Sequence, residues 1–289
     1  MHETLRGVDV EGLERSCSPR TNAIRFGPSA PGLERAEVFL STCAFEPHRH
    51  DTYAIGVTVA GVQTFHYRGE GRVCLPGELH VLHPDETHDG AAGTEDGFGY
   101  RILYVAPELV REALGGGGLP FVADPVHRVS PAQRTVASLL DDIDEPIDEV
   151  ARASMVAFVA DTLRSLGGRR PRTSGGVDLA AVELVREYLD AHAAQQTPAS
   201  TLEQIAGIDR FTIARHFRRA FGTSPDRYRT LRRLGLVRKA IEGGEPLARA
   251  AADAGFADQS HMTRQFKRAY GLTPAAWVEA VSAGLTPAR

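Results

Sequence analysis

The chain has 289 residues, of which 42% are hydrophobic and 24% charged, and its formal net charge is −4. This is the composition of a folded chain of about two domains, and it excludes a disordered, collagenous or disulfide-framed protein. No run approaches the roughly 20 apolar residues of a membrane span. The first twenty residues lack the apolar stretch of a secretory signal. The three cysteines, Cys17, Cys43 and Cys74, fit neither a disulfide framework nor a zinc motif. A cytoplasmic protein without membrane contact is expected.

The charge is unevenly spread. Pro198 to Arg289 carries 15 Lys+Arg against 8 Asp+Glu, whereas the remainder is acidic. Thirteen of those fifteen cations are arginine, which suits bidentate contact with phosphate and guanine. A basic module joined to an acidic one is therefore expected.

In chain order, the part before Val105 alternates short β-rich runs with Gly, Pro and Asp clusters. The runs begin at Ala36, Tyr53, Gln63, Leu79 and Tyr100. Strands at this spacing predict a sandwich or small barrel. From Pro107 the pattern turns helical. One helix stops at the glycines Gly115 to Gly118, and Ser130-Pro131 opens a second. A third, Ile147 to Leu166, places Val150, Met155, Phe158, Val159 and Leu163 on one broad face. That face serves either intramolecular packing or a dimer seam. Gly167 to Gly176 reads as a linker, and Asp178 to His192 as the next helix.

Downstream an internal repeat has a period of 49. Arg215-His-Phe-Arg-Arg-Ala-Phe-Gly-Thr-Ser-Pro225 aligns with Arg264-Gln-Phe-Lys-Arg-Ala-Tyr-Gly-Leu-Thr-Pro274, identical at six of eleven positions. Each copy predicts a short helix, a glycine turn at Gly207 or Gly255, and a longer helix capped by Asp209 or Asp258. This is a tandem helix-turn-helix, whose second helices suit the major groove.

The stretch Ala254 to Pro274, with Gly255-Phe256, Ser260, Arg264, Phe266, Gly271 and Pro274, resembles the signature of the AraC/XylS family of bacterial transcription regulators. The resemblance extends over about Asp178 to Val281. It implies double-stranded DNA as partner, with base-reading positions on Phe211, Ala214 and Arg215 in the first module, and Arg210 at the helix start as a contact to a base or a phosphate. In the second they fall on Gln259, Ser260, His261 and Arg264. Arg218, Arg219, Arg232, Arg233, Lys267 and Arg268 are expected as phosphate contacts or solvated charge.

Six of the eleven histidines lie between residues 48 and 88. His48-Arg-His50 with Pro84-Asp-Glu-Thr-His88 resembles the two motifs of a cupin barrel. The glutamate of the metal-binding cupins is missing, since Ala54 and Ile55 stand in its place. Neither a metal nor catalysis is expected. The rival reading is a metal-dependent cupin enzyme with an accessory DNA-binding tail. The family resemblance implies a cupin-like sensor in which His48, His50, Tyr53, His66 and His88 orient a small-molecule effector. It also implies a homodimer, an activator, and contact with RNA polymerase.

The expected architecture is multi-domain α+β. A cupin-like β-barrel spans 21–105, a helical dimerisation region 106–166, and a linker 167–177. An all-α domain with two helix-turn-helix modules spans 178–289.

Overall fold

The computed structural model describes residues 22–41, 44–116, 118–129, 137–167 and 176–285. The helix start at Ser130-Pro131, most of the glycine-rich linker, and Cys17 and Cys43 lie outside the described residues.

Among the described residues, ten antiparallel strands build the N-terminal half. They are β1 (Ala23–Phe26), β2 (Leu33–Leu40), β3 (Phe45–His48), β4 (Tyr53–Gly61), β5 (Gln63–Tyr67), β6 (Glu70–Cys74), β7 (Glu78–Leu82), β8 (His88–Ala92), β9 (Phe98–Val105) and β10 (Val126–Arg128). One sheet runs β1-β2-β9-β4-β7-β10 and the other β3-β8-β5-β6. Their inner faces meet in one apolar cluster that includes Val38, Phe45, Phe65, Tyr67, Phe98 and Ile102. The barrel is cupin-like. Strand β10 pairs with β7, so the chain returns to the sheet after entering its helical part.

The outer face of the larger sheet is covered by α1 (Pro107–Ala113) and α2 (Glu149–Leu166). Tyr53, Ile55, Leu103 and Val105 pack there with Met155, Val159 and Leu163. The broad apolar face expected on α2 is thus divided: Met155, Val159 and Leu163 are buried, whereas Val150 and Phe158 are exposed.

The C-terminal half is helical: α3 (Leu179–Ala191), α4 (Ala199–Ala206), α5 (Arg210–Phe221), α6 (Pro225–Glu242), α7 (Leu247–Asp253), α8 (Gln259–Tyr270) and α9 (Pro274–Leu285). The first module has its own core of Val182, Val185, Ile213, Phe217, Phe221 and Tyr228. The second module's Met262, Phe266 and Trp277 join the barrel's inner cluster instead.

The two halves are therefore packed together. Helix α9 lies on β1, with the Trp277 ring 5.8 Å from that of Phe26. The carbonyl of Gly271, just past α8, accepts from Glu46 N at 3.0 Å, and that of Arg268 from Arg49 N at 3.1 Å. Gly271 has φ +73, which only glycine adopts cheaply, and ends α8 in a left-handed cap. Its missing side chain also lets the turn sit against Phe45 and His48.

Candidate nucleic-acid interface and ligand cavity

The two helix-turn-helix modules follow from local chemistry. Asp209 accepts from Phe211 N and Thr212 N, both at 3.0 Å. Asp258 accepts from His261 N at 2.6 Å. Each capping carboxylate satisfies amides that the first helical turn leaves open, beside the positive end of the helix dipole. Below the surface Ile213 and Phe217 anchor α5, and Met262 and Phe266 anchor α8. The phenylalanines of the repeat are thus core residues.

Arg210, Phe211, Ala214, Arg215, Gln259, Ser260 and Arg264 are exposed, and His261 is half-buried. Phe211, 77% exposed, is an apolar ring held in water at the start of α5. Arg210 is engaged through a fork on Glu203, at 2.8 and 3.0 Å. Arg215 reaches Thr212 Oγ1 at 3.0 Å. Arg264 makes no ion pair among the described residues. The His261 ring meets Phe256 edge-on at 5.7 Å.

Several cations expected on phosphate or in water are engaged elsewhere. Arg218 pairs with Asp85 at 3.2 Å, Lys267 with Glu46 at 2.6 Å, and Arg232 with Asp51. Arg233 donates to the carbonyls of Ala254 and Gly255 and covers the Phe256 ring. Arg238, not singled out from sequence, forks onto Glu34 at 2.8 and 2.6 Å. All these pairs except those of Arg233 cross from the DNA-binding half to the barrel.

A cavity of about 620 Å³ lies under this seam. The barrel supplies Val38, Phe65 and Ile102, and helices α6, α8 and α9 supply Leu231, Tyr270 and Trp277. His48, His50 and His88 meet at its edge, with ring centroids 4.3 Å (His48–His88) and 4.9 Å (His50–His88) apart. The pairing of β3 with β8 sets His48 directly opposite His88. Nδ1 of each donates to a carbonyl: Glu46 at 2.7 Å, Thr52 at 2.9 Å and Glu86 at 3.0 Å. A carbonyl only accepts, so the proton sits on Nδ1 and Nε2 is left as an acceptor. Burial, reinforced by the neighbouring imidazoles, holds His48 well below its ordinary value and lowers His50 to about 3. Burial also lowers His88 to about 4. The trio is neutral at pH 7. Among the described residues no group of three or more His, Cys, Asp or Glu is disposed to hold a metal ion.

Two expected effector residues lie elsewhere. Tyr53 is 1% exposed on the other side of the sheet, its hydroxyl donating to Pro120 O at 2.8 Å. Successive residues of a strand face opposite ways, and the cavity side at this position belongs to Ala54. His66 points to solvent, with Nδ1 2.9 Å from Asp89. Sequence reasoning missed His80, Tyr104, Glu34 and Trp277, all of which line the cavity. The outward-inward alternation of Tyr100-Arg-Ile-Leu-Tyr104 was the available signal for Tyr104.

A barrel with a ligand-sized cavity, joined to paired helix-turn-helix modules, defines a DNA-binding protein with a ligand-binding domain. A family model described as the AraC-like ligand binding domain matches residues 30–161, and one described as a helix-turn-helix domain matches 202–280. The HTH-type transcriptional regulator YbfI of Bacillus subtilis is 26% identical over 75% of this chain and 81% of its own. The HTH-type transcriptional activator RhaS of Enterobacter sp. is 24% identical over 88% and 94%. Among solved structures, ToxT from Vibrio cholerae aligns with TM-score 0.63 at 9% identity, covering 88% of this chain and 99% of ToxT. At that identity the likeness is one of fold. The chain belongs to the AraC/XylS family of transcription regulators, with an N-terminal ligand-binding domain and a C-terminal helix-turn-helix DNA-binding domain. Among the described residues, no helix is long and apolar enough to cross a membrane.

Proposed function

We propose that a small-molecule effector binds in the cavity beneath the seam and thereby sets how the DNA-binding half is held. The observation that carries this reading is that both halves line one cavity. A ligand whose contacts to both halves exist together only when they are docked favours the docked arrangement by that difference in affinity. One solved form of ToxT is described as bound to an unsaturated fatty acid, which supports a small-molecule ligand for a chain of this fold. We assign effector contact to His48, His50 and His88, and no catalytic role to any residue. The functional division we propose is a sensor barrel over 21–105, a dimerisation region over 106–166, a linker over 167–177 and a reader over 178–289. Homodimerisation through α2 is supported by exposed Val150 and Phe158. Action as a cytoplasmic activator touching RNA polymerase is the remainder of the proposal.

On DNA, Arg215 and Arg264 are assigned the leading base contacts, with Arg210, Phe211, Ala214, Gln259, Ser260 and His261 beside them. Selection of genomic fragments by the purified protein, followed by anisotropy across a salt series, tests this. Arg215→Ala and Arg264→Ala should each cost about 1–3 kcal/mol on the selected site, the worth of a bidentate guanine contact. Sequence-blind binding that merely fades with salt would remove both from the reading role.

A further inference from the structure

Most charges lining the cavity already have an ionic partner. Glu34 holds Arg238, Asp51 holds Arg232, and Arg186, paired at 2.8 Å with Glu183, also stands 3.8 and 3.7 Å from Glu108 and Asp190. Asp89 is taken by His66, and the remaining lining cation, Lys239, is exposed. Away from exposed Lys239, a charged ligand would have to break one of these pairs or enter the apolar interior uncompensated, and both are costly.

What the cavity offers is neutral hydrogen bonding. The Nε2 atoms of His48, His50 and His88 are acceptors, because each Nδ1 proton is committed to a carbonyl. The Tyr104 ring meets His50 edge-on at 5.5 Å, and its hydroxyl has no hydrogen-bond partner among the described residues. A second observation comes from the opposite wall. Gly235 lines the cavity from the middle of α6, and a Cβ added there would meet nothing within 4 Å. Glycine weakens a helix interior, and no neighbouring protein atom requires it here. Its missing side chain leaves room in the cavity.

We infer that the cavity takes an uncharged ligand with an apolar body and adjacent hydroxyl groups, the hydroxyls donating to the His48, His50 and His88 acceptors and the body occupying the space beside Gly235. This rests on the reading of the cavity as the effector site. It differs from a fatty acid in having no anionic head.

The test compares 1,2-octanediol, octanoate and octylammonium, which share a chain and differ in the head group. Trp277 is the single tryptophan of the sequence and lines the cavity, so its emission in the full-length protein reports occupancy directly. The diol should bind saturably and more tightly than either charged probe. His50→Leu and Tyr104→Phe should each weaken it about five- to tenfold, the effect of one lost hydrogen bond. Gly235→Leu should abolish binding without lowering the Tm of the ligand-free protein. Tighter binding of octanoate or octylammonium than of the diol would overturn the inference and leave the effector site standing. So would diol binding indifferent to Gly235→Leu and to both hydrogen-bond variants. If no probe moves the emission of Trp277, the effector reading falls and the inference with it.

Discussion

Gly284→Ala separates two forces that act in opposite directions. Within a helix the change is favourable, because alanine exceeds glycine by about 0.5–1 kcal/mol, and by less near a helix end. Against β1 it is unfavourable. The added methyl would drive into the Ile24 carbonyl, 2.7 Å from its carbon and 3.2 Å from Arg25 N. Both are backbone atoms and cannot swing aside as a side chain would. Ordinary carbon contacts lie near 3.5–4.0 Å, so α9 must retreat by about 1 Å, enough to forfeit a quarter to a half of each contact it opens. The Trp277–Phe26 contact lies in that seam. Overpacking of this kind costs about 1–3 kcal/mol, leaving a net loss of roughly 1–2 kcal/mol in docking. That corresponds to a roughly 5- to 30-fold shift towards the undocked arrangement. The emission maximum of Trp277, now 5% exposed, should move to the red, and its quenching by acrylamide should increase. A variant more stable than wild type with unchanged emission would refute the packing of α9 on β1.

Three further outcomes follow from the same contacts. Glu34→Gln keeps the shape of the Arg238 pair but removes its charge. Since both side chains are largely shielded, docking should weaken by about 1–3 kcal/mol, and adding Arg238→Met should recover part of the loss in a double-mutant cycle; strictly additive effects would deny the coupling. Acidification should destabilise the fold through His80 and His88, which burial lowers to about 3 and about 4. Their folded values lie below the unfolded value of about 6.5, so the unfolded chain takes up protons first. Stability is complete above about pH 7 and should fall by about 2–3 kcal/mol for the pair between about pH 7 and 5.5. A urea midpoint unchanged over that range would contradict their burial as neutral imidazoles. Asp209→Ala should lower the urea midpoint of the first module through the lost cap, read by the helical signal, whereas Asp209→Asn should leave it nearly unchanged; equal loss in both would point away from capping.

The helix-turn-helix half was legible because its signals are local. An aspartate cap, a glycine stop and a repeat of period 49 lie within a few residues of the elements they define, and α4 and α5 fall where these signals put them. The barrel was legible only in part. Strands β2, β4, β5, β7 and β9 carry apolar or β-branched runs, but β8 is His-Asp-Gly-Ala-Ala and is a strand only because β3 and β5 flank it. The cavity was harder still. In β9, Tyr100, Ile102 and Tyr104 face inwards while Leu103 and Val105 pack under α2, so a step of one residue decides membership of the site. The ion pairs Arg218–Asp85 and Arg232–Asp51 join residues 133 and 181 positions apart. Nothing in the local sequence distinguishes those arginines from phosphate ligands.

Those pairs also give the uneven charge of the chain a physical use. The acidic half supplies Glu34, Glu46, Asp51 and Asp85 to cations of the basic half. Arg218 and Lys267 lie in the last turns of α5 and α8, each three residues after an arginine we propose as a base contact, Arg215 or Arg264. A DNA phosphate that recruits either cation must draw it from a barrel carboxylate, so DNA binding and docking compete, and by linkage each weakens the other. The effect is modest because Arg218 is largely exposed and Lys267 partly so; surface pairs of this kind contribute about 0.2–1 kcal/mol each. Asp85→Asn together with Glu46→Gln should therefore tighten DNA binding by up to roughly tenfold at low salt. The gain should shrink as salt screens the same pairs. Unchanged affinity at low salt would show that the recognition helices bind DNA without drawing on the cations held by the barrel.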